Sequence, residues 1–368
     1  MFNRILLYLK NFDWILFLPV LLLVIFGLIE IYSVALSRET IDLLNFKKQF
    51  IFVGLGIGLL FFFAFFNYHH LSSLSNYLYL IGAVILAAVL IFGVTIRGTK
   101  GWFYFGEISL QPVEFIKVIL ILFLAKYFSS FSTRIRPIKH LLLSGLGCFL
   151  FVCLVLAQPD FGAALILLLV WIVMIIFAGF NKKYLLVIGL ILVLVFSASW
   201  VFFFKDYQKQ RIITFINPSF DPLNQGYNIS QAIIAIGAGG LTGRGIGFGS
   251  QSQLKFLPES QNDFIFAVIA EELGFFGVGL IILFFFIFFY RCLINIKRIN
   301  NDFGIYFILG MTGLIFIEMF INIGMNLGML PVIGIFLPFV SYGGSAILSS
   351  LILVGIAESI IIRAKINY

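Results

Sequence analysis

Residues 14–36 read WILFLPVLLLVIFGLIEIYSVAL, and Glu30 is the only charged side chain among them. The hydrocarbon core of a bilayer takes about 20 apolar residues of α-helix. The run is too long for the h-region of a signal peptide, roughly 7–15 residues, so it reads as a first membrane span. Nine more segments follow it: 49–66, 76–94, 113–129, 139–157, 161–179, 184–204, 264–290, 304–327 and 340–362. The composition agrees. The chain has 368 residues, is 62% hydrophobic and only 11% charged, where a soluble domain carries about 25% charged residues. The expected fold class is an all-α integral membrane protein of about ten transmembrane helices. It forms one polytopic domain over residues 1–368, with a long loop, 205–263, between spans seven and eight.

The net charge of +8 is scattered over short loops rather than clustered, which argues against a nucleic-acid partner and for a topological role. With both termini in the cytoplasm, the inner segments carry twelve Lys and Arg. The short outer loops carry five: Arg38, Lys47, Lys48, Arg97 and Lys100. The excess of cations belongs inside, so both termini are expected there. Glu107, Glu114, Asp160 and Asp263 then fall at or near the outer face, away from cytosolic ATP. Cys148, Cys153 and Cys292 lack Cys or His partners at ligand spacing, so neither a disulfide nor a metal centre is expected from them. His69, His70 and His140 read as loop residues. No internal repeat stands out, which weakens an inverted-repeat transporter reading.

Polar groups enter the apolar runs at a few places. In GEISLQPVEFIKVILILFLAKYF, Pro112 marks a helix start, and Glu114 and Lys117 follow at i and i+3 on one face. They are either a structural pair or the lining of an outward polar cavity. In AQPDFGAAL, Asp160 sits where an ordinary N-cap would. The stretch GAGGLTGRGIGFG (237–249) has no GxGxxG match and no βαβ context. Its glycines read as close backbone packing or a mobile flap. Ser341 opens the turn SYGGS, whose backbone donors suit an anion.

The stretch LPESQNDFIFAVIAEELGFFG (257–277) is the most informative. On a helix, Asp263, Ala267, Ala270, Gly274 and Gly277 share a face, a stripe of small residues of the kind that packs closely in membranes. Asp263 tops that stripe, as a cap or as a functional carboxylate. Glu271 and Glu272 lie about 12–14 Å further along the axis and read as buried structural groups.

Four motifs in this order, GWFYFGEISLQPVEFIK, QPDFGAAL, LPESQNDFIFAVIAEELG and LPVIGIFLPFVSYGGS, resemble the SEDS family of bacterial cell-wall polymerases (RodA, FtsW and SpoVE) over essentially the whole chain. NPSFDPLNQGYNISQAIIAIGAGG and AVIAEELG look most like the RodA branch. The resemblance implies a peptidoglycan glycosyltransferase of the bacterial cytoplasmic membrane. It would polymerise lipid II at the outer face, in cell elongation and shape maintenance, with a class B penicillin-binding protein (a transpeptidase) as partner. It matches the family's essential aspartate to Asp263, its salt-bridged pair to Glu114 and Lys117, and its QPD aspartate to Asp160. The sequence departs from the usual His-Thr before the aspartate, with Gln261-Asn262 instead, and has Val113 where serine is common.

Chemistry of that kind needs a base for the acceptor hydroxyl and cations for the departing diphosphate. Asp263 is the expected base. Lys117, with Lys48, Arg97 or Arg211, is expected to offset phosphate charge, with Glu114 orienting Lys117. Asp160 and Ser341 complete the candidate substrate-binding set. No prosthetic group is expected; a divalent cation, Mg2+ or Mn2+, is a candidate to share the work. Two rival readings stay open: a flippase for the lipid-linked precursor, and a non-catalytic scaffold for the transpeptidase.

Overall fold

The structure is a computed structural model that describes residues 2–36, 42–96, 98–106, 108–131, 136–202, 206–217, 221 and 225–366. It begins with α1 (Phe2–Asn11), α2 (Trp14–Ala35), α3 (Leu44–Phe65) and α4 (Tyr68–Phe92). A small antiparallel sheet of β1 (Val94–Ile96), β2 (Thr99–Phe105) and β3 (Ile108–Leu110) follows, in that order. Next come α5 (Pro112–Ser130), α6 (Pro137–Ala157), α7 (Phe161–Phe177) and α8 (Lys182–Phe202). Within the long connection lie α9 (Asp206–Ile216), α10 (Gln225–Gly239) and α11 (Ser250–Gln253). The chain closes with α12 (Ile265–Ile296), α13 (Asp302–Asn326) and α14 (Gly344–Ile366).

A helix of at least 17 residues occupies each of the ten expected segments. Seven of these, α2, α3, α4, α6, α12, α13 and α14, are long and apolar enough to cross a membrane by length and composition alone. Helices dominate because lipid offers no partner for backbone amides, which must be satisfied within the segment. Local signals set the starts. Pro112 and Pro137 occupy the first turns of α5 and α6. Asp13, Asn67, Asp160 and Asn301 are N-caps whose side chains accept backbone N–H bonds.

Polar starts extend some helices beyond their apolar runs. The Asn67 cap begins α4 eight residues ahead of the expected span, so His69 and His70 lie in its first turn, and His140 lies in the first turn of α6. All three are helical, which corrects the loop assignment. The short strands were not foreseen, because GWFYFGEISL is apolar enough to pass for the approach to a span.

The core is formed mainly by α14, buried over almost its whole length, against α3, α5 and α13. At the inner end, Asp13 at the start of α2 receives Arg291 of α12 at 2.9 Å and Asn295 at 2.7 Å. Its own N–H donates to Glu358 of α14 at 3.0 Å. Lys365 of α14 donates to the Asn11 carbonyl at 3.0 Å. The N-terminus of α2 and the C-termini of α12 and α14 therefore meet on one side, which the charge asymmetry of the sequence predicts to be the inner one.

The helix α12 is not continuous. Gly274 has φ 66° and ψ −161°, a region essentially restricted to glycine. Backbone groups freed at the break pair with the glycine-rich loop after α10. Arg244 N–H donates to the Glu271 carbonyl at 3.0 Å and Gly245 N–H to the Glu272 carbonyl at 2.9 Å. In return, Phe275 and Phe276 N–H donate to the carbonyls of Gly240 and Leu241. The glycines thus serve close packing: a Cβ on Gly239 would collide with the Ala270 carbonyl.

Glu271 and Glu272 anchor the same loop. The Glu271 carboxylate accepts from Gln251 N–H at 2.9 Å, and that of Glu272 from Gly247 N–H at 2.9 Å and from Ser33. Ser33 is two residues from the end of α2, so Glu272 stands at the outer end of that helix and not deep across the membrane.

Candidate active site

At the outer end, a cavity of about 510 Å³ opens between the β-hairpin, α5, α7, α9 and the 333–336 segment. Five of the eight site residues named from sequence line it: Glu114, Lys117, Asp160, Arg211 and Asp263. The size suits a ligand pocket, typically about 300–1,000 Å³.

Lys117 and Glu114 lie one turn apart on α5. Lys117 Nζ is 2.8 Å from Glu114 Oε1 and 2.7 Å from Oε1 of Glu318, which α13 supplies. All three are buried, so the pairing offsets part of the cost of burying charge. Lys117 is therefore shared by two carboxylates, and the triad sums to one negative charge when all are ionised. Glu318 is a functional candidate that sequence spacing does not reveal, because it reaches the site from a helix far along the chain.

Asp160 caps α7, accepting from Ala163 N–H at 3.0 Å, and its other oxygen accepts from Gln111 Nε2 at 3.2 Å. It lies in the turn between α6 and α7. Burial pushes its carboxyl above the ordinary value; the bonds from Ala163 and Gln111 and the charge of Lys117 oppose that rise without cancelling it, and Glu114 adds to it. Lys100 N–H donates to the Gln158 carbonyl at 3.1 Å, tying the hairpin to this turn. Arg211 of α9 lines the facing wall, and its Nε is buried without a hydrogen-bond partner among the described residues.

Asp263 is not the cap of α12. The N-cap is Phe264, with no side-chain cap bond, and Asn326 Oδ1 of α13 takes the Ala267 N–H at 3.1 Å instead. Three successive carbonyls before the helix are each held from another element. That of Gln261 accepts from Tyr342 N–H at 2.9 Å and that of Asn262 from Ser341 Oγ at 2.7 Å. That of Asp263 accepts from Asn326 Nδ2 at 2.9 Å and Asn322 Nδ2 at 3.1 Å. The Asp263 carboxylate faces Gly334, with Oδ2 3.6 Å from where a Cβ would stand.

The other three residues are placed differently. Ser341 lines a neighbouring cleft with Glu114 and Glu318, and its Oγ donates to the Asn262 carbonyl. Lys48 is half-buried on α3 and is not among the residues lining the main cavity. Arg97 lies outside the described residues. No group of three or more His, Cys, Asp or Glu among the described residues is placed to hold a metal. Asp160 and Asp263 both line the cavity, so two carboxylates would be available to a cation completed by substrate phosphate, the Mg2+ pattern.

The fold and the cavity define a class: a polytopic helical membrane protein with an end pocket lined by carboxylates, a lysine and an arginine. The chain belongs to the cell cycle protein family of FtsW, RodA and SpoVE, whose model matches residues 13–366. It is 37% identical to stage V sporulation protein E of Bacillus subtilis, over 94% of this chain and 95% of that one. It is 38% identical to the peptidoglycan glycosyltransferase MrdB of Escherichia coli K12, over 77% and 76%.

Among solved structures it superposes on a chain described under structural coordination of polymerization and crosslinking by a peptidoglycan synthase complex. That match has a TM-score of 0.82 and 29% identity, covering 96% of this chain and 98% of that one. The rod shape determining protein RodA of Thermus thermophilus superposes with a TM-score of 0.71 and 28% identity, covering 97% and 98%. Seven span-length helices among the described residues and this family make it a multi-pass protein of the bacterial cytoplasmic membrane.

Proposed function

We propose that this chain is a peptidoglycan glycosyltransferase that polymerises lipid II at the outer face of the membrane, in cell elongation and shape maintenance. The observation that carries the reading is the convergence of Asp263, Asp160, Arg211, Glu114 and Lys117 on one outer cavity, in a chain whose relatives are named peptidoglycan glycosyltransferases. Asp263 takes the proton from the 4-hydroxyl of the acceptor sugar as that oxygen attacks C1 of the donor. The C1–O bond to the diphosphate breaks, and the lipid diphosphate leaves with the bonding pair. Arg211, whose guanidinium Nε lacks an acceptor among the described residues, is the better-placed cation for that developing charge. Lys117 is already shared by Glu114 and Glu318 and holds the wall together. A divalent cation, Mg2+ or Mn2+, would supply further charge neutralisation, held by Asp160 and Asp263 with the diphosphate. The partner on this reading is a class B penicillin-binding protein that crosslinks the emerging strand.

The test is Asp263→Asn in the purified full-length chain with its transpeptidase, assayed on lipid II. Loss of glycan polymer by at least about a hundredfold, with melting temperature and lipid II retention unchanged, is expected. Normal polymerisation would overturn the assignment.

A further inference from the structure

Asn322 and Asn326 lie one turn apart near the outer end of α13, both fully buried. Amides buried in a membrane helix are costly unless their hydrogen bonds are met, and these two spend theirs on one neighbourhood. Asn326 Nδ2 donates to the Asp263 carbonyl at 2.9 Å and to the Asn322 carbonyl at 2.8 Å, while its Oδ1 accepts from Ala267 N–H at 3.1 Å. Asn322 Nδ2 bridges the Asp263 carbonyl at 3.1 Å and the Ile335 carbonyl at 2.7 Å. One pair of side chains thus fixes the backbone of Asp263, the first turn of the helix behind it and the irregular segment of cavity wall facing its carboxylate.

We propose that Asn322 and Asn326 are positioning residues that set the direction of the Asp263 carboxylate into the cavity. This rests on Asp263 being the base. With its own carbonyl and the following helical turn held, the Cα–Cβ direction of Asp263 has little room to vary. The role that a carboxylate at a helix start would ordinarily fill, accepting the third helical N–H, is filled by Asn326. The tie to Ile335 keeps Gly334 against the carboxylate. A displacement of about 1 Å at such a group costs on the order of a hundredfold in rate.

The experiment measures lipid II polymerisation by the full-length chain with its transpeptidase, carrying Asn326→Leu, against wild type and Asp263→Asn. Asn326→Leu keeps the branched shape but removes the donor to the Asp263 carbonyl and the acceptor for Ala267. The expected result is a kcat lower by about ten- to a hundredfold with KM for lipid II within about threefold, a split that a general loosening of the fold would not give. Asn322→Ser, which removes the tie to Ile335 and leaves the Asn326 bond, should give an intermediate loss in kcat with melting unchanged. It serves as the measurement if Asn326→Leu does not accumulate. Wild-type kcat in these variants, or losses that simply track melting, would overturn the proposal while an inactive Asp263→Asn left the catalytic reading standing. An active Asp263→Asn would overturn both.

Discussion

Lys117 of α5 and Glu318 of α13 form an ion pair of 2.7 Å, with less than a tenth of either side chain exposed. Glu114 takes the same ammonium at 2.8 Å, so the two substitutions that break the triad are unequal. Lys117→Met leaves two carboxylates buried side by side, and removing one partner of a buried pair costs about 3–5 kcal/mol. Glu318→Gln leaves a neutral Lys117–Glu114 pair and an amide oxygen that still accepts from Nζ, so its cost should be nearer that of one charged hydrogen bond, about 1.5–3 kcal/mol. Thermal melting in detergent checks the order. A Lys117→Met protein as stable as wild type would remove the structural role assigned to the lysine.

Asp160→Asn should separate stability from activity. Asparagine caps a helix as well as aspartate, so α7 keeps its start. Burial holds the Asp160 carboxyl above its ordinary value. Its folded-state pKa is thus raised, and ionising it lowers stability as pH climbs from the unfolded value through the folded one. The variant lacks that contribution. Its melting temperature should equal wild type near pH 3 and match or exceed it at pH 7, while lipid II polymerisation falls at least about tenfold. Lower stability at neutral pH would show that the carboxylate is there for the fold.

The ten apolar segments were legible in the sequence because hydropathy over about 20 residues is a strong signal. The i, i+3 spacing placed Glu114 with Lys117, and the charge asymmetry brought Asp160 and Asp263 to the same face. What stayed hidden arises between elements. Glu318 gives no local sign of reaching α5, and Asn322 and Asn326 in FINIGMN look like ordinary polar interruptions. The straight-helix projection from Asp263 carried Glu272 inward, whereas its bond to Ser33 places it at the outer end of α2. Gly274 read as a small packing residue, and the backbone exchange with residues 240–245 that makes it a break is visible only in three dimensions.

Gly274→Ala tests that break. At φ 66° and ψ −161° an alanine is strained by about 1–3 kcal/mol. Its Cβ would also collide with the Gly243 amide nitrogen. The loop after α10 must then release the Glu271 and Glu272 carbonyls. Limited proteolysis should cut between residues 240 and 250 faster than in wild type, with a lower melting temperature. Gly279→Ala, on the same helix where a Cβ meets nothing within 4 Å, should change neither readout. Equal behaviour of the two variants would discount the break as a constraint.

The last prediction concerns the inner end, where Asp13 joins α2, α12 and α14. Burial pushes its carboxyl up, but hydrogen bonds from Arg291 and Asn295 and the charges of Lys365 and Arg291 outweigh burial and hold it below the ordinary value. A depressed folded-state pKa stabilises the fold at pH values above the unfolded pKa of about 3.9. That contribution fades as pH falls through the folded pKa. Asp13→Asn still caps α2 but loses the charged partner of Arg291, which sits 2.9 Å away with 17% of its side chain exposed. At pH 7 the loss should be about 1.5–3 kcal/mol, and it should shrink below about pH 4 as wild type itself becomes protonated. Melting temperatures of both proteins between pH 3 and pH 7 read this directly. Curves that stay parallel over the whole range would mean that the charge on Asp13 does not hold the three helices together.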